Sequence, residues 1–152
     1  PNFIKYSWLD RGSDERQYCA PGIDLPIASI LRTKYGKYPE YHTSLDNLEN
    51  VVTPKGLDGG YWAIRKAIEA IARNKKYKTT VLCEPQMGKR GLYPTLSTKG
   101  TNKKVRLMMN FISFCDGQAS LLEIAESLNL PIWELYKLVD KLESHSLISL
   151  NE

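Results

Sequence analysis

The chain has 152 residues, 42% of them hydrophobic and 25% charged, which is ordinary globular makeup with room for one average domain or two small ones. That composition excludes a disordered tail, a collagen-like repeat and a disulfide-built miniprotein, and no apolar run approaches the roughly 18 residues of a membrane span. The net charge of +4 is divided unevenly, with 18 Lys+Arg against 10 Asp+Glu in residues 1–104 and 3 against 7 in residues 105–152. A shift of that size beside the stretch Thr98-Lys99-Gly100-Thr101-Asn102-Lys103-Lys104 marks a domain boundary. Three cysteines, Cys19, Cys83 and Cys115, suit a reducing cytoplasm better than a disulfide framework. The opening Pro1-Asn2-Phe3-Ile4 lacks a methionine and already reads as strand, so the chain is expected to be the C-terminal piece of a longer protein.

Rough alternation over residues 3–9 predicts a strand, followed by the polar loop Asp10-Arg11-Gly12-Ser13-Asp14-Glu15-Arg16. After the turn dipeptide Pro21-Gly22, residues 25–31 are short and apolar enough for a buried strand. Tyr35-Gly36-Lys37-Tyr38-Pro39-Glu40-Tyr41 is aromatic and broken by Gly and Pro, hence an ordered loop. From Asp58 or Gly60 a helix is expected, with Ile64, Ala67, Ile68 and Ile71 on its apolar side and Arg65, Lys66, Glu69 and Arg73 opposite. Residues 79–83 predict another strand, and a loop runs on through Gly88-Lys89-Arg90-Gly91 to Tyr93-Pro94-Thr95.

The last 48 residues read as a helical unit. A first helix over 105–115 ends at Asp116-Gly117. Ser120 caps a short helix over 121–128 with Glu123 in capping-box spacing. Asn129-Leu130-Pro131 turns the chain into a third helix over 132–144, with Leu135, Leu138, Val139 and Leu142 on one face, and 147–150 closes as a strand. This order is the winged-helix plan. The resulting division is 1–78, a connecting segment at 79–104, and a winged helix at 105–152.

His42, in Glu40-Tyr41-His42-Thr43-Ser44-Leu45-Asp46-Asn47-Leu48, is the first group able to carry chemistry. A lone loop histidine is ordinarily a surface or hydrogen-bonded residue, but a neutral imidazole is also a zinc donor. Asp46 could then orient it from behind, as carboxylates do for metal-bound imidazoles. The run His42-Thr43-Ser44-Leu45-Asp46-Asn47-Leu48 resembles the last metal-ligand motif of co-catalytic di-zinc aminopeptidases of the bacterial leucyl aminopeptidase type. Gly12-Ser13-Asp14-Glu15 with Gly22-Ile23-Asp24-Leu25-Pro26 resembles a second family feature, departing from it with Glu15 in place of a commoner His and with an Asp-Leu insertion before Pro26.

Nearer still is the resemblance to a subfamily of aminopeptidase-like proteins of unknown function that occur near surface-polysaccharide genes. It rests on Gly12-Ser13-Asp14-Glu15-Arg16-Gln17-Tyr18-Cys19, on Arg32-Thr33 through Leu48, on Glu84-Pro85 with Gly88 through Thr95, and on the final winged helix, so that it covers essentially the whole chain. The fold implied is α/β: the C-terminal portion of a three-layer α/β/α zinc-aminopeptidase-like domain, then an α+β winged-helix domain. The activity implied is zinc-dependent hydrolysis of an amide or peptide bond near a free amine. The substrate would be peptide-like or linked to an amino sugar. Such a site needs two His, three carboxylates and a general-base Glu. Only the last ligand maps here, at His42, and His145 lies too far along the chain. The chain alone is therefore expected to be incomplete, its partner being the preceding part of the same protein.

With that resemblance, Glu15, Arg16 and Tyr18 are expected to form a wall of the substrate cleft, Arg16 binding a carboxylate and Glu15 an amine. Without it the same residues read as a polar surface loop. Cys19 has no base near it in sequence for nucleophilic work. Lys89 and Arg90, between glycines but without P-loop spacing, are either a basic linker or a seat for an anionic substrate group. The rival readings are a non-catalytic scaffold for a sugar-linked or peptide ligand and a winged-helix DNA-binding regulator. Glu134, Asp140 and Glu143 against Lys137 and Lys141 argue against nucleic acid, and Trp133 with Tyr136 suit packing within the chain or in a homo-oligomer.

Overall fold

In the computed structural model, which describes residues 3–92 and 99–151, the longest element is a helix that Thr53-Pro54 starts. Proline at the first helical position loses only an amide that would have had no partner, and the Thr53 hydroxyl accepts the Gly56 N–H at 3.1 Å. This helix runs Pro54–Arg73, several residues longer at its start than its apolar period suggests. It crosses the division between two compact units, Pro1–Arg65 and Lys66–Glu152. Among the described residues no helix is long and apolar enough to cross a membrane.

The first unit holds a 3₁₀ turn at Trp8–Asp10, a four-residue helix α1 at Glu15–Tyr18, and the first turns of the long helix, α2 (Pro54–Arg73). No described side chain of this unit is buried. Residues 3–9 and 25–31, expected as strands, are not paired into a sheet. Their backbone bonds stay local, Leu25 N–H to Tyr18 C=O and Ile27 N–H to Leu25 C=O, both at 2.8 Å. A strand needs a neighbour to complete its ladder, and the described residues of this unit offer none.

The second unit is built on a three-stranded antiparallel sheet in the order β2-β1-β3, with β1 at Lys76–Thr79, β2 at Asp116–Ser120 and β3 at Ile148–Leu150. β1 alternates Lys76 and Lys78 outward with Tyr77 inward, and this places the strand three residues before the expected 79–83. Tyr77 stands opposite Leu150 and Lys76 opposite Ser120. Gly117, at φ +85°, leaves no space for a Cβ, which would lie 2.9 Å from the Asn151 side chain that bonds its carbonyl.

Three helices cover one face: α3 (Lys99–Ser113), α4 (Leu121–Ser127), and α5 (Tyr136–Ser144) entered through a 3₁₀ turn at Ile132–Glu134. α3 begins six residues before the expected start, because the polar run that suggested a linker carries no helix breaker other than Gly100. The expected capping box on α4 is present: Ser120 Oγ accepts Glu123 N–H, and Glu123 returns a carboxylate oxygen to Ser120 N–H at 2.7 Å. Asn129, at φ +53°, ends α4 in the left-handed region that asparagine tolerates.

Phe111, Leu121, Ile124, Leu135, Val139 and Leu142 form the centre of the core, roofed by Tyr77 and Ile148 from the sheet. Met87 and Leu92 are buried in it as well, so the stretch read as a connecting segment contributes to the winged-helix unit. Cys115 donates its thiol to Phe111 C=O at 3.3 Å, and burial pushes it up to about 12, leaving it neutral and inert. α2 turns opposite to expectation. Ile64, Ile68 and Ile71 are exposed, while Ala70 packs on the core and Lys66 and Arg73 lay their charged ends over rings of the second unit. Long cationic stems cover aromatic surface well while their heads stay wet, which is how a charged side of a helix comes to face a core.

The Tyr136 hydroxyl is buried and has no hydrogen-bond partner among the described residues. Replacing a lone buried hydroxyl by hydrogen removes an unmet desolvation cost. Tyr136→Phe is therefore expected to leave stability unchanged or raise it by up to about 1 kcal/mol, and a fall of that size in urea unfolding would contradict the placement.

Candidate functional site

The site lies in the loop-rich first unit and is organised by Glu15. One carboxylate oxygen, Oε1, accepts Gly12 N–H at 3.0 Å and Ser13 N–H at 3.2 Å, and the Tyr35 hydroxyl stands 3.2 Å away. The other, Oε2, accepts the Ser29 hydroxyl at 3.1 Å. These donors, the Gly12 amide first among them, stabilise the carboxylate and draw its pKa down to about 2. Gly12 is required by the same arrangement, since a Cβ there would stand 2.7 Å from the Tyr35 ring. The Tyr35 hydroxyl proton is shared with Asp10 C=O at 3.1 Å, and partial burial together with the Glu15 carboxylate raises its pKa.

From Tyr35 a run of rings leads to His42. Tyr35 lies 6.2 Å from Tyr41, Tyr38 meets Tyr41 edge-on at 5.6 Å, and the His42 imidazole stacks on Tyr41 at 4.1 Å with the planes 22° apart. The His42 backbone is left-handed, φ +61°, a region where histidine is enriched among residues that are not glycine and where strain gathers at functional positions. Thr43 fixes the turn that follows, donating from Oγ1 to Glu40 C=O at 2.7 Å and accepting Leu45 N–H at 3.2 Å. Asp46, expected behind the imidazole, instead accepts the Tyr38 hydroxyl at 3.0 Å, and that bond raises the tyrosine pKa. The imidazole itself is exposed.

Arg16 and Tyr18 project from α1 into solvent. Cys19 does not act as a free nucleophile in this setting, because its thiol donates to the carbonyls of Leu25 and Ile27 at 3.1 and 3.3 Å. His145 caps the end of α5 with Nδ1 2.8 Å from Lys141 C=O, apart from any metal chemistry. In the second unit Lys89 and Arg90 sit exposed on a 3₁₀ turn, Gly88–Arg90, anchored by the buried Met87 and Leu92 on either side. Tyr93, Pro94 and Thr95 lie outside the described residues. Sequence reasoning missed Ser29 and Tyr35 as partners of Glu15. The aromatic richness of 35–41 is the signal that announced an ordered loop without naming its anchor.

A structural or catalytic zinc site takes three or four protein ligands. Among the described residues no cluster of three or more His, Cys, Asp and Glu side chains is able to hold a metal ion. His42 has the right chemistry for one position, and its imidazole makes no hydrogen bond among the described residues. Among the described residues, therefore, His42 is at most one donor of such a set.

Residues 1–74 match a domain family of unknown function (DUF4910). A Clostridium acetobutylicum protein named "Putative polysaccharide biosynthesis protein with aminopeptidase-like domain" is 40% identical over 116 residues, 75% of this chain and 26% of that protein. A crystal structure described as a putative peptidase from Clostridium acetobutylicum superposes with a TM-score of 0.78 at 34% identity, over 92% of this chain and 30% of the other. The chain spans less than a third of either relative. Residues 75–150 match a winged helix-turn-helix model. That match, covering half of the chain and agreeing with the helices and sheet described above, places the chain in the winged helix-turn-helix family.

Proposed function

We propose that this chain is part of an aminopeptidase-like, zinc-dependent hydrolase that cleaves an amide or peptide bond near a free amine in a peptide-like or amino-sugar-linked substrate. The observation that carries the reading is His42: an exposed imidazole, strained into the left-handed region and held by its stack on Tyr41, at the head of a motif matching the last ligand of such centres. The names of the two Clostridium relatives support the peptidase theme. Zinc, when bound, would lower the pKa of a coordinated water and polarise the scissile carbonyl. This chain's share is to hold the imidazole on Tyr41, while Glu15, with its four donors, braces the loop that carries Tyr35 rather than meeting a substrate amine. Arg16 and Tyr18 remain the residues able to touch substrate, Arg16 as a bidentate partner for a carboxylate. Lys89 and Arg90 are exposed cations suited to an anionic group. Three free cysteines favour a cytoplasmic setting.

The complementary part of the protein supplies the missing ligands in this reading, and it also accounts for the apolar surface of the first unit. Phe3, Ile4, Leu9, Ile30, Leu48 and Leu57 are all exposed, far more than a free surface ordinarily carries. In the full-length protein, His42→Ala is expected to lower zinc content measured by atomic absorption and to cut hydrolysis of aminoacyl substrates by about 100-fold or more. Unchanged zinc content with unchanged activity removes His42 from the centre. A full-length protein that lacks zinc and hydrolysis before mutation, yet binds a sugar-linked peptide, supports the non-catalytic scaffold instead.

A further inference from the structure

We propose that the helix-turn-helix face of the second unit is a seat for residues 66–75 of the same chain, so that this winged helix is an intramolecular docking module and does not read nucleic acid. The proposal is independent of the hydrolase reading. In a helix-turn-helix reader, the N-terminal residues of the second helix meet base edges while backbone amides at helix N-termini hold phosphates. Here the amides of the first helix are already occupied and one flank of the second is covered.

Trp133, Tyr136 and Asp140 share one flank of the second helix and its entry turn, at spacings of three and four, beside the outward-facing and exposed Lys137 and Lys141. The last turns of α2 lie against that side: Lys66 Nζ is 5.4 Å over the Trp133 ring, the Arg73 guanidinium is 4.3 Å over Tyr136, and Arg73 pairs with Asp140. Tyr136 is left only 6% exposed, although it lies on the opposite flank of α5 from Leu138. The first helix is engaged by the same segment. Asn74 Oδ1 accepts Leu122 N–H at 2.9 Å and Lys75 C=O accepts Leu121 N–H at 2.8 Å, while Ser120 Oγ accepts Glu123 N–H. The amides with which the N-terminus of α4 would hold a phosphate are therefore spent inside the unit. Charge agrees, since Glu134, Asp140 and Glu143 outnumber Lys137 and Lys141 along the helix that would face the phosphates.

Hydrogen exchange on the full chain, with Arg73→Glu, Asp140→Arg and the double reversal, tests this seat. Each single reversal is expected to speed amide exchange about fivefold in residues 66–73 and 133–144 together, as an ion pair with a cation–π contact implies. The double reversal restores the ion pair but not the cation over Tyr136, and is expected to return the rates about halfway to wild type, which a general loss of structure would not do. Exchange in 133–144 that ignores Arg73→Glu overturns the seat. In parallel, fluorescence anisotropy of a labelled mixed-sequence DNA duplex at low salt is expected to be unmoved by wild-type chain and by Arg73→Ala. Binding by either one, weakened by salt and by Lys137→Ala with Lys141→Ala, overturns the docking role in favour of a DNA reader.

Discussion

Phe111→Ala is expected to lower the unfolding free energy of the winged-helix unit by about 3–5 kcal/mol, the range for truncating a large aromatic ring in a packed core. The ring is fully buried, one turn from Met108 on α3 and beside Cys115 just past its end, and the core around it draws on all three helices and the sheet. No single neighbour is able to move into the space without leaving its own, so the cavity persists. Urea unfolding followed by far-ultraviolet circular dichroism measures the loss. The comparison variant is Leu57→Ala, a residue of the same apolar character on α2 that is 62% exposed. Its expected cost is within about 0.5 kcal/mol. Comparable losses for the two variants would contradict the placement of the core.

Residues 3–53 of the chain on its own are expected to exchange their amide hydrogens within about tenfold of unstructured peptide rates, and the core of α3 to be protected to the level of global unfolding. The cause is the absence of any buried described side chain in the first unit, whose hydrogen bonds are turns and caps open to water. Networks such as the one around Glu15 shape a loop without the apolar burial that makes unfolding cooperative. In the full-length protein the same amides, those of 25–31 above all, are expected to slow by at least about 100-fold as a neighbouring strand covers them. Protection of 3–53 equal to that of α3 in the chain alone would contradict the reading that this unit is completed by other residues.

The contrast between the units also explains what was legible in the sequence. Local signals held wherever the chemistry is local: the Ser120 and Glu123 box, the turn at Asn129, the apolar face of α5 and the final strand all lie within a few residues of their cause. β2 was missed because Asp-Gly-Gln-Ala-Ser shows no alternation and is a strand only through its pairing with β1. The apolar runs at 3–9 and 25–31 have the right residues and lack the neighbour. α2 kept its period but not its orientation, because no pattern of apolar positions foretells that Arg73 will lie over Tyr136. At the candidate site the motif around His42 was readable, since it is contiguous. Its support was not, because Ser29 and Tyr35 reach Glu15 from across the loop and Asp46 turns to Tyr38.

The central place of β1 has a consequence for how the molecule is made. The strand leaves the ribosome ahead of α3, α4 and α5, yet its two flanking partners are synthesised after α3 and after α5. Until Ile148–Leu150 emerges, one edge of Lys76–Thr79 has no ladder and Tyr77 has no complete shelter. Assembly of this sheet therefore waits for β3, and a nascent chain halted before it would expose a sticky edge that chaperones recognise.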